Sequence, residues 1–171
     1  MEEKPILKVE NLSISFGENE VIHNISYQLN KNQILGIVGE SGSGKSVSSL
    51  TILGSLPKNI SKITSGHIIY ENKDLTTLSA KAFQNIRGNK IAMIFQEPMS
   101  SLNPSMTCGK QVQEIVLQHT NLSKKEAENE TISLFEKVKL PEIKTTYNKY
   151  PHEISGGQKQ RVMIAMAIAC K

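Results

Sequence analysis

Eight residues, Gly39-Glu40-Ser41-Gly42-Ser43-Gly44-Lys45-Ser46, constrain this chain more than any other feature. They fit the P-loop pattern G-x-x-x-x-G-K-[ST]. Successive backbone N–H groups can converge on a phosphate chain only where glycine permits the dihedrals and the close approach. A helix starting at this point adds its own unpaired N–H groups and positive dipole end. In such a cradle Lys45 supplies a point charge to the β- and γ-phosphates, and Ser46 offers its hydroxyl to Mg²⁺. The context agrees. Ile34-Leu35-Gly36-Ile37-Val38 is short and continuously apolar, as expected of a strand buried on both faces. Val47, Leu50 and Leu53 then recur at helical spacing, with Gly54 as C-cap.

The flanking segments predict an α/β chain. Residues 6–16 and Val21–Leu29 read as half-exposed strands joined at Gly17-Glu18-Asn19, and Gly66–Tyr70 as another. A short helix is expected from Ser79 to Gly88, and Ile91–Phe95 reads as a second buried strand. After Glu97 the pattern turns irregular at Pro98, Asn103 and Pro104, and then helical. Val112, Ile115, Val116 and His119 share a face, and Ser123 and Glu126 have capping-box spacing. Residues 110–149 carry seven Lys and six Glu, a solvated helical surface rather than a nucleic-acid site. The net charge of +4 is small, and the longest apolar run, Val162–Cys170, falls far short of the ~20 residues that span a bilayer. Two cysteines make no disulfide framework, and a reducing compartment is the default.

A second constellation is Ile154-Ser155-Gly156-Gly157-Gln158, followed by Lys159-Gln160-Arg161 and the apolar run. On its own it reads equally as a turn with Ser155 as N-cap or as a second bare helix start. A helix apolar all round is expected to be buried on every side. Together with the P-loop these residues resemble the ATPase domain of ABC transporters, whose signature is L-S-G-G-Q-x-Q-R, with Ile154 here in place of Leu. Gln96, after the run ending at Phe95, matches that family's Q-loop glutamine. Phe16 lies where the family places an aromatic that stacks on adenine. A narrower likeness lies in Gln96-Glu97-Pro98-Met99-Ser100-Ser101-Leu102-Asn103-Pro104, which is similar to ATPases powering bacterial dipeptide, oligopeptide and nickel importers.

The resemblance implies an α/β P-loop NTPase fold with an antiparallel β subdomain, a partial parallel-sheet core and a helical subdomain. Residues 1–97 would form the nucleotide-binding core. Residues 98–171 would hold the Q-loop connection, the helical subdomain and the signature helix. It implies ATP bound by Phe16, Gly39, Glu40, Ser41, Gly42, Ser43, Gly44, Lys45 and Ser46, with Mg²⁺ at Ser46 and Gln96. Gln96 is the one catalytic position matched. In a head-to-tail dimer, Ser155, Gly156, Gly157 and Gln158 of one copy would cap the nucleotide of the other. Membrane permease subunits would dock at the Q-loop region, and a solute-binding protein would act indirectly. Such a protein sits peripherally on the cytoplasmic face of a bacterial inner membrane.

The family also needs a Walker B strand ending in Asp and a catalytic Glu, and a switch histidine beyond it. Asp74 is the sole aspartate, and the preceding Tyr70-Glu71-Asn72-Lys73 is no apolar strand; a turn role is expected for it. The 171 residues therefore match the first two-thirds of the domain, and catalysis belongs to the parent rather than to these residues. Peptide import is the leading expectation. A non-catalytic nucleotide-binding fragment and a soluble non-transport ABC ATPase are the alternatives. His152 is expected to shape the start of the signature segment rather than to act in catalysis.

Overall fold

The structure is a computed structural model describing residues 4–95 and 101–170. Its contacts divide the chain into two compact units, Met1–Phe83 and Gln84–Lys171.

The first unit is built on a four-stranded antiparallel sheet of order β2-β1-β3-β4, with β1 Leu7–Phe16, β2 Asn19–Leu29, β3 Ser61–Tyr70 and β4 Lys73–Asp74. Gly17, at φ +58°, turns β1 back into β2, so that Phe16 faces Asn19 and Leu7 faces Leu29. On its other edge β1 pairs with β3, which starts at Ser61 rather than at the expected Gly66. Central β1 is the most buried strand: Val9, Leu12 and Ile14 have almost no exposed surface. Its register shifts at Asn11, which is left-handed at φ +47°. Opposite this bulge lies Gly66, at φ +86°, where a Cβ would strike the carbonyls of Glu10 and Asn11. The bulge therefore requires glycine there.

Asp74 is the turn residue expected. Its Oδ1 accepts from Thr76 N (2.9 Å) and Thr76 Oγ1 (2.7 Å), capping the 3₁₀ turn Leu75–Thr77, while Oδ2 lies 2.7 Å from His67 Nδ1. Partial burial pushes its carboxyl up, but the bonds from Thr76 and His67 outweigh this and hold it below the ordinary carboxylate range.

Two expected strands do not form. Ile34–Val38 is irregular and exposed, with Ile34 98% and Val38 93% accessible. Ile91–Phe95 contributes one isolated parallel bridge, Arg87 to Ile91, and Ile94 and Phe95 are exposed. A buried parallel strand needs neighbours to satisfy both rows of its backbone groups. Among the described residues the one sheet is antiparallel, and neither run pairs with it. Apolar patterning marks a segment fit for burial, but the pairing partner decides whether it becomes a strand. The helix expected over 79–88 shortens to α2, Ala80–Gln84, because Gly88, Lys90 and Ile91 form turn bonds around Ile86 instead. The other helix of this region, α1, spans Lys45–Ile52 and closes as foreseen: Gly54 N bonds Thr51 O and Ser55 N bonds Leu50 O, both 2.9 Å.

The second unit is helical: α3 Cys108–His119, α4 Lys124–Lys137, α5 Ile143–Asn148 and α6 Gly156–Ile168. Val112, Val116, Ala127, Leu134, Phe135, Val162 and Ala165 form its core. Ser123 and Glu126 make the expected capping box at the start of α4. The last helix departs from expectation. Val162, Met163 and Ala165 are buried, but Ile164, Met166, Ala167 and Ile168 remain half-buried, because the described neighbours cover one side only.

Val38→Lys should change the unfolding free energy of the chain by less than about 0.5 kcal/mol, as for an exposed site. Gly66→Ala should cost about 2 kcal/mol, since it forces both a strained dihedral and a backbone clash. Urea unfolding of both variants checks this; a large loss at Val38 would show that the run is buried after all.

Candidate functional site

The glycine-rich loop leads directly into α1. Gly42 (φ +83°) and Gly44 (φ +89°) hold left-handed dihedrals, and Gly44 packs so closely on Ile22 of β2 that a Cβ would collide with that side chain. This fixes the start of α1 against the sheet. Lys45 folds back into the loop. Its ammonium donates to Gly39 O (2.7 Å), Glu40 O (2.6 Å) and Ser43 Oγ (3.1 Å), using all three protons. Ser43 N also bonds Glu40 O at 3.2 Å. The loop is thus wrapped around a fixed positive charge.

At α1 the helix N-terminus has no side-chain cap and no acidic residue in its first turn. Its amide donors are left for an outside anion, and the dipole favours one. Ser46 lies in that first turn and is exposed, whereas Ser48 and Ser49 turn their hydroxyls onto Lys45 O at 2.9 and 3.0 Å. A lysine, an uncapped helix start and an outward serine make a donor set that suits a polyphosphate and its divalent cation. Glu40, Ser41, Gly42 and Ser43 are exposed, so the loop is open to solvent. Phe16 is half-buried at the end of β1, two register positions from the Ile14–Ile22 pair against which Gly44 packs.

The second glycine-rich start is built differently. Ser155 is the N-cap of α6: its Oγ accepts from Gln158 N (3.3 Å), while Gln158 Oε1 accepts from Ser155 N (2.8 Å). Gly156 and Gly157 are exposed, with nothing within 4 Å of where a Cβ would stand. The apolar residue before them, Ile154, is buried in the helical core, as an apolar residue in the Leu position of the signature is expected to be. His152 is exposed in the 3₁₀ turn Pro151–Glu153 and stacks on Tyr150 at 5.7 Å between ring centres, a role in shaping the turn. Gln96 lies outside the described residues.

Arg161 has a role that the sequence did not reveal. Its guanidinium donates to Val138 O (2.5 Å) and Lys139 O (3.3 Å), closing the C-terminus of α4 and tying α6 to it. The signature spacing marks the residue, but a contact 23 positions away needs the folded helices.

The family model "ABC transporter" matches residues 22–171. The chain belongs to the ABC transporter family. Among its relatives, the dipeptide transport ATP-binding protein DppD of Bacillus subtilis (strain 168) is 45% identical over 170 residues, covering 97% of this chain and 51% of that protein. The oligopeptide transport ATP-binding protein OppD of the same organism is 46% identical, covering 96% and 47%. This ABC chain therefore spans about half the length of the curated relatives it matches. Among solved structures, a dimeric bacterial ABC transporter cassette superposes with a TM-score of 0.82 at 28% identity, covering 96% of this chain and 69% of that one. The dimeric post-hydrolysis state of an ATP-binding cassette, bound to ADP and Pi, superposes equally well. The fold is that of the ABC ATPase cassette, although its parallel strands are not formed among the described residues.

Replacing the α6 cap should read out its strength. Ser155→Ala should lower the unfolding free energy by about 1 kcal/mol, and Ser155→Asp, which still caps, should recover most of it. Equal losses in both variants would contradict the capping role.

Proposed function

We propose that this chain is the ATP-binding part of an ABC importer that couples ATP hydrolysis to the uptake of peptides. One observation carries the reading: the loop Gly39–Ser46 is shaped around the Lys45 ammonium and opens onto an uncapped helix start. The relatives DppD and OppD, named for dipeptide and oligopeptide transport, support the choice of solute. In this reading Lys45 exchanges its bonds to Gly39 O and Glu40 O for phosphate oxygens, and the first-turn amides of α1 join it. Ser46 and Gln96 hold Mg²⁺, which neutralises charge on the phosphates. Phe16 stacks on the adenine.

Residues 1–97 act as the nucleotide-binding core, and residues 98–171 carry the Q-loop connection, helical subdomain and signature helix. Two copies associate head to tail, so that Ser155, Gly156, Gly157 and Gln158 of one meet the phosphates held by the other. The dimeric cassettes of the same fold support this arrangement. Membrane subunits engage the Q-loop region, and the protein works at the cytoplasmic face of a bacterial inner membrane as a peripheral subunit. No helix among the described residues is long and apolar enough to cross a membrane. The Asp-Glu pair needed to position metal and water is not among the 171 residues, so these residues bind nucleotide and do not turn it over.

Titration of the purified chain with a fluorescent ATP analogue tests the reading. Saturable binding is expected, lost in Lys45→Ala and retained in Ser155→Arg, which obstructs only the partner's site. Loss in both variants would remove the trans role of Ser155, and no binding by the native chain would remove the reading itself. A phosphate-release assay should give no measurable turnover. A rate near ~1 s⁻¹ that vanished in Lys45→Ala would show that the carboxylate pair is dispensable.

A further inference from the structure

The end of α1 far from the glycine-rich loop borders a cavity of about 400 Å³. All of its lining residues belong to the first unit. Ile68, Leu75 and Phe83 in its wall are buried, and Leu56, Ile63 and Leu78 are half-buried. The hydroxyls of the lining are spent on the chain itself. Thr51 Oγ1 donates to Val47 O (2.6 Å), Ser61 Oγ to Pro57 O (2.7 Å) and Thr76 Oγ1 to Asp74 Oδ1 (2.7 Å). None of the three has a proton left for a ligand. Two cations complete the lining, Lys58 and Lys62, both exposed. Neither forms an ion pair among the described residues, and no acidic side chain lines the cavity.

Apolar walls with a few convergent polar groups, enclosing this volume, are what sites for small organic ligands have in common. The polar groups here select the ligand. A sugar would find no side-chain donor but the two ammoniums and would press its other hydroxyls against apolar walls, unpaired. A cation is repelled, and a bare inorganic anion would leave the apolar walls wet. An apolar body ending in a single negative charge satisfies both parts: the body displaces water from the walls, and the charge meets Lys58 and Lys62 at the exposed edge. A carboxylate, with one charge, costs less to desolvate there than a phosphate dianion. We propose that this cavity binds a small apolar carboxylate, the chemistry shared by a medium-chain fatty acid and the C-terminus of a short hydrophobic peptide. The eight residues of α1 put it about 12 Å along the helix from the glycine-rich loop, so it is a second site and does not rest on the nucleotide reading.

The test is an NMR titration of the methyl-labelled chain with octanoate and with N-acetyl-leucyl-leucine. Octanol controls for the charge and acetate for the apolar body. At least one of the two carboxylates should shift the methyl signals of Ile63, Ile68 and Leu75 saturably, with a dissociation constant below about 1 mM. Octanol should bind about tenfold more weakly than octanoate, and acetate should not saturate. Tighter binding of octanoate points to a fatty acid, and tighter binding of the dipeptide to a peptide terminus. Replacing both exposed lysines, Lys58→Gln with Lys62→Gln, should weaken the carboxylate about tenfold and leave octanol unchanged. Leu78→Trp, which fills the cavity, should abolish binding of both carboxylates. The proposal is overturned if neither carboxylate shifts these methyls below about 1 mM, if octanol binds as tightly as octanoate, or if the double lysine variant binds like the native chain.

Discussion

The three bonds of the Lys45 ammonium organise the region on which everything else depends. Gly39 and Glu40 can turn their carbonyls toward one cation only because the loop between them and α1 passes through the left-handed dihedrals of Gly42 and Gly44. Gly44 in turn can lie against Ile22 only because it lacks a side chain. The antiparallel sheet thus sets where α1 begins, and α1 sets where the lysine emerges. A positive charge held this way is neutralised by dipoles rather than by a carboxylate, so phosphate oxygens can replace those dipoles without breaking an ion pair.

The two glycine-rich helix starts solve opposite problems. α1 leaves its first amides without a side-chain cap, as a site for an anion must. α6 ties up the Gln158 amide on Ser155 Oγ and the Ser155 amide on Gln158 Oε1, and leaves Gly156 and Gly157 exposed. A phosphate reaching α6 must compete with the Ser155 cap, whereas one reaching α1 meets open donors. This difference fits a primary site at α1 and a secondary, closing contact at α6.

Local chemistry was legible in the sequence, and long-range pairing was not. The capping box at Ser123, the Gly54 helix end and the turn role of Asp74 all depend on residues within a few positions of each other, whereas the Ser155 cap was only one of two equal readings until the structure showed its box with Gln158. Ile34–Val38 and Ile91–Phe95 show the limit. Their composition suits burial, but a strand exists only with a partner, and no described strand pairs with either run. The same limit hid the Arg161 clamp on α4 and the bonds from the buried Gln111 amide to Asn103 O and Met106 O, where the partner is a backbone carbonyl that carries no side-chain signal. In the helical unit the heptad-like spacing of Val112 and Val116 placed the core correctly, but α5, short and polar, gave no periodicity to read.

The central claim is that residues Gly39–Ser46 form a phosphate cradle closed by Lys45. The most direct measurement is a titration of the isotopically labelled chain, following the backbone amides of Glu40–Val47 and the Lys45 ammonium by NMR. Adding ATP with Mg²⁺ should shift those signals together in a saturable way, while adenosine leaves them unmoved. Saturable ATP binding that shifted signals elsewhere and left the Lys45 ammonium unchanged would contradict the account.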